Sequence, residues 1–117
     1  MKTLMQINKD MAINDSATNI QSNTTITSRT AYKNAEALYK NEFAKKTMLI
    51  RASNLKWRVS DITSMATTET YGLHLAMITA ESLYLSERGK LDKLRAEKET
   101  LLEESYNLRT EMKKFQA

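Results

Sequence analysis

The chain has no proline, no cysteine, one histidine and only two glycines, Gly72 and Gly89, in 117 residues. Sheets and barrels place Gly and Pro in their turns, so a chain almost without them is expected to be helical. Without cysteine there is no thiol nucleophile, thiolate metal site or disulfide. With His74 as the sole imidazole, a His-rich zinc site is excluded too, because zinc takes three or four N or S ligands at most of its sites. The lack of cysteine identifies no compartment.

Long apolar runs are also scarce. The first thirty residues contain no continuous apolar core of a signal peptide. Residues 62–85 come nearest to a membrane span, but they carry Glu69, His74 and Glu81. Charges at a bilayer centre are costly, so this stretch is expected to be a buried helix of a soluble protein. No phosphate loop, metal-ligand spacing or catalytic triad is present. Glu69 and Glu81 lie twelve residues apart, a little over three helical turns, and share no site. His74 sits in the run Tyr71-Gly72-Leu73-His74-Leu75 and reads as a core or interface residue. Neither an enzyme nor a cofactor is expected, and no catalytic, cofactor-binding or metal-ligating residue is assigned.

What is present divides into four stretches. Residues 1–28 are rich in Asn, Ser and Thr with isolated Ile at 7, 13, 20 and 26, and they predict a flexible polar arm. Such an arm orders against a neighbouring subunit or serves as a non-classical export signal. Its composition is similar to the starts of type III secretion substrates. Residues 29–59 predict a helix capped by Ser28 or Thr30, with Met48, Ala52, Leu55 and Val59 on one face. Between positions 33 and 58, seven Lys or Arg stand against Glu36 and Glu42. Residues 61–87 predict a second helix with Ser60 or Asp61 as N-cap, and Asp61 suits the positive end of its dipole. Its only acids before Glu87 are Asp61, Glu69 and Glu81, and the run from Tyr71 to Leu85 is apolar nearly all round.

The last stretch carries a heptad repeat. Leu94, Leu101, Leu108 and Phe115 fall at d, and Leu91, Lys98, Ser105 and Met112 at a. Glu97, Glu104 and Glu111 occupy g, with Arg95 and Arg109 at e. Leucine at d flanked by charge is what two helices need to bury a narrow seam. The register runs back through Tyr84, Ala80, Met77 and Leu73, broken by Glu87. One helix over 61–115 is therefore expected, with Gly89 as the place for a break or kink.

The expected fold is all-α. An antiparallel hairpin over 29–87 turns at Ser60 and continues into a coiled-coil segment over 88–117, behind the arm of 1–28. With the turn at Ser60, Arg51 would approach Glu69 and Lys40 would approach Glu81. The expected function is a self-associating structural or assembly subunit of a virion, secretion filament or scaffold, a homo-oligomer within a larger protein assembly. Its interface would be Leu91, Leu94, Leu101, Leu108, Met112 and Phe115. One alternative is a small adaptor, chaperone or inhibitor that binds another protein. A second is a nucleic-acid-binding regulator using Lys40, Lys45, Lys46, Arg51, Lys56 and Arg58. A basic helix before a leucine repeat superficially looks like a basic zipper, but some thirty apolar and acidic residues separate the two. Counterion release nonetheless rewards any basic stripe.

Overall fold

A computed structural model describes residues 2–116. Among them are three helices, α1 (Leu4–Ser53), α2 (Val59–Glu69) and α3 (Tyr71–Gln116), and no strand. The expected all-helical class holds. The chain divides into two units, one of Met1–Ile26 with Ser86–Ala117 and one of Thr27–Leu85.

In the first unit the expected flexible arm is instead helix. Thr3 and Gln6 start it reciprocally: the Gln6 amide donates to Thr3 Oγ1 (3.2 Å) and the Thr3 amide to Gln6 Oε1 (2.8 Å). This capping box satisfies amides that a helix start otherwise leaves orphaned. The helix then presents Ile7, Asn14 and Thr25 as buried residues, with Met11, Thr18 and Gln21 half-buried between them. Steps of four and three put these on one face. Opposite them lie buried Glu87, Leu91 and Ser105 and half-buried Leu94, Lys98, Leu101 and Leu108 of α3. Asn14 Nδ2 donates to the Leu94 carbonyl (2.9 Å), and Lys98 Nζ pairs with Asp15 (2.7 Å). Gln21 Nε2 donates to the Glu87 carboxylate (2.6 Å) and carbonyl (3.0 Å). Residue numbers rise on one segment as they fall on the other, so the two run in opposite directions.

The second unit is built around a different contact. Ile50, Ile62 and Ala66 are buried together, with Phe43 packed against them. Ala66 is small enough for α2 to approach closely. Tyr32 stacks on Tyr84 (centroids 6.1 Å apart), and Tyr39 tilts against His74 (4.8 Å). The chain reverses over residues 54–58, not at Ser60. Asn54 donates both its amide and its side-chain Nδ2 to the Ile50 carbonyl, and the Trp57 amide donates to the Asn54 carbonyl. Arg58, extended at φ −70° and ψ 154°, takes the N-cap position of α2 without a side-chain cap, where Ser60 or Asp61 was expected. Asp61 falls in the first turn, where its charge still suits the dipole.

Moving the reversal earlier shifts the register. Lys46, not Arg51, meets Glu69 (3.8 Å), and Lys40 pairs with Glu36 (3.4 Å) on its own helix, not with Glu81. The interruption expected at Gly89 falls at Thr70. The Thr70 amide and hydroxyl both donate to the Ala66 carbonyl (3.0 and 2.7 Å), and the His74 amide donates to the Thr70 carbonyl (3.0 Å). Gly89 lies inside α3 with ordinary helical backbone. One glycine costs a helix about 1 kcal/mol, too little to break it when the flanking turns are packed.

Candidate interaction surfaces

Leu94, Leu101 and Leu108 of the leucine repeat lie against the chain's own α1. Leu91 is 6% exposed. Leu94 and Leu101 share a groove with Ile13, Asn14 and Ala17, and Leu108 shares one with Lys2 and Ile7. Glu87, expected to interrupt the register, instead anchors it through Gln21. Its carboxyl is held below the usual carboxylate range, chiefly by the Gln21 hydrogen bond and then by Lys90, with desolvation opposing. Met112 is 46% and Phe115 90% exposed, so the C-terminal end of the expected interface lies open to solvent.

The basic residues separate into two sets. Lys40 and Lys45 pair with Glu36 and Glu42 on their own helix, and Lys46 with Glu69. Arg51, Lys56 and Arg58 are exposed at and beyond the end of α1, and none of the ion pairs among the described residues involves them.

A separate apolar stripe lies on α3, outside the a and d positions of the repeat. Tyr71, Leu75, Ile78 and Leu85 step by four, three and seven along α3 and are between 44% and 58% exposed. The face they share is separate from the half-buried Leu73, Met77, Ala80 and Tyr84. Their spacing was legible in the all-round apolar run; which side the chain itself would cover was not.

Tyr32 donates its hydroxyl to Glu36 (2.8 Å), and its pKa is pushed up to about 12 by that bond first and by Glu81 second. The same bond is the largest cause holding the Glu36 carboxyl below its ordinary value. These are packing contacts with a pH dependence. The buried Nδ1 of His74 has no hydrogen-bond partner, and its ring lies against Tyr39. Among the described residues no group of His, Cys, Asp and Glu could hold a metal ion, and no helix is long and apolar enough to cross a membrane. Comparison with known proteins gave no matching family model, no matching curated protein and no matching solved structure.

Proposed function

We propose that the chain is a non-enzymatic, self-associating structural or assembly subunit, a helical hairpin whose copies join through coiled-coil contacts. The observation that carries this is the uncovered stripe Tyr71, Leu75, Ile78 and Leu85, an apolar row at heptad spacing outside the internal seam. A helix with one apolar row facing its own chain and another facing water is suited to a bundle with more helices than one chain supplies. Burying a Leu or Ile side chain contributes roughly 1.5–3 kcal/mol, so a two-fold pairing of this row repays association only when several of its members are covered. The exposed Met112 and Phe115 offer a second, smaller contact where the leucine seam outruns α1. The seam residues Leu91, Leu94, Leu101 and Leu108 then hold the hairpin together, and association proceeds on other faces.

The test is molar mass by light scattering across concentration. The parent should exceed the monomer mass at tens of micromolar. Leu75→Glu with Ile78→Glu should return it to monomer without loss of helix, since both side chains are exposed in the single chain. A monomeric parent would refute self-association and leave the adaptor reading, in which the same stripe receives a different protein.

A further inference from the structure

The turn joining α1 to α2, together with the first residue of α2, reads Leu55-Lys56-Trp57-Arg58-Val59, alternating apolar and basic side chains. Leu55 is 86% and Val59 71% exposed, and Trp57 is 40% exposed beside Asp61 and Met65 in a shallow groove. Arg51 adds a further exposed cation from the last turn of α1. Asp61 is the nearest acid in sequence; Glu69 is taken by Lys46. Two cations, Lys56 and Arg58, are therefore interleaved with three apolar side chains that the chain leaves largely in water, with Arg51 nearby, and none of the three cations has an ion-pair partner among the described residues.

We propose that this turn docks the protein onto an anionic membrane surface, with Leu55, Trp57 and Val59 entering the interfacial layer and Arg51, Lys56 and Arg58 meeting the lipid head groups. Charge complementarity selects an anionic occupant, and the apolar side chains select among anionic occupants. A nucleic-acid backbone rewards the cations through counterion release but leaves Leu55 and Val59 in water. A stable protein partner needs about 800 Å² on each side, far more than one five-residue turn supplies. A bilayer asks only for a few inserted apolar groups beside a basic cluster, and tryptophan favours the head-group level. This docking is peripheral and does not depend on the Tyr71–Leu85 stripe.

Trp57 is the only tryptophan, so its emission reports on this turn alone. The full chain should shift its emission to the blue, and co-sediment, with vesicles of phosphatidylcholine mixed with phosphatidylserine, and do neither with phosphatidylcholine alone. Lys56→Ala with Arg58→Ala should weaken binding about fivefold per cation removed. Leu55→Ser with Val59→Ser should abolish the blue shift even where some electrostatic attachment persists. Circular dichroism of each variant should match the parent; if a variant loses helix, quenching of parental Trp57 by brominated lipid decides the matter. Equal binding to neutral vesicles would overturn the proposal, as would no shift with either vesicle. Binding to duplex DNA with no affinity for anionic vesicles would also overturn it and assign the cations to nucleic acid.

Discussion

The two units pair helices by different chemistry. The first joins α1 to α3 largely through polar groups: Asn14 on a carbonyl, Gln21 on Glu87, Asp15 on Lys98, with Ile7 and Leu91 as buried aliphatics. The second relies on Ile50, Ile62 and Ala66 and on aromatic contacts. Polar pairs contribute little net stability but are costly to mismatch, so they select a register. Aliphatic burial stabilises more and selects less. The first unit thus specifies which residues face each other, and the second supplies a close-packed core beside the reversal.

That contrast should be plainest in the size of core-deletion effects. Ile62→Ala removes a side chain 3% exposed from the centre of the second unit and should cost about 2–5 kcal/mol, read from urea unfolding. Asn14→Ala in the first unit should cost only about 1 kcal/mol, the net value of one hydrogen bond. Equal costs would dissolve the distinction.

The same contrast explains what was readable beforehand. The leucine spacing of α3 was legible because leucine recurs at 94, 101 and 108, and Leu91 and Ser105, at its a positions, are buried while Met112 and Phe115 are exposed. Their partner was hidden because its matching row is Ile7, Met11, Asn14, Thr18, Gln21 and Thr25. Apolar periodicity does not register a row that is mostly polar, although its spacing of four and three was present. The Thr3–Gln6 capping box was a further local signal that this stretch begins a helix. The reversal was displaced from Ser60 because Asn54 closes α1 through its own side chain, a short-range bond that composition does not reveal. Side-chain hydrogen bonds, not hydrophobic patterning, decided both points.

Titration should separate the units next. Glu87 has a depressed pKa in the folded state, so its contribution is present above the ordinary carboxylate pKa and is lost as pH falls through the folded value. Glu87→Gln should therefore flatten part of the acid limb of stability. Tyr32 behaves oppositely. Its pKa is raised from 10.0 to about 12, so its contribution is present below the unfolded value and lost as pH rises through that interval. Tyr32→Phe should flatten part of the alkaline limb, and it should also reduce acid sensitivity because Glu36 loses its main hydrogen bond. Urea midpoints measured across pH for the parent and both variants check each sign. An acid limb unchanged in Glu87→Gln would mean that Gln21 holds the carboxylate no better than water does.

The smallest effects belong to the two glycines, and they stabilise. A methyl group at Gly89 would meet no heavy atom within 4 Å outside the local helix, and the same holds at Gly72. Neither residue has a positive φ. Alanine thus fits both without strain, and the gain comes from restricting the unfolded chain and from helix propensity. Gly89 lies deep inside α3, where every residue pays the full propensity difference, so Gly89→Ala should add about 0.5–1 kcal/mol. Gly72 is the second residue of α3, in a first turn whose amides have fewer intrahelical partners, so Gly72→Ala should add less. Thermal unfolding of the two variants, alone and combined, measures the difference. Because they lie in separate units, the two gains should add if the units unfold together. If unfolding instead splits into two transitions, Gly89→Ala should move one and Gly72→Ala the other. A loss of stability in Gly89→Ala would show that the glycine serves a close approach by another chain, which would make the solvent face of α3 around residue 89 part of an assembly contact.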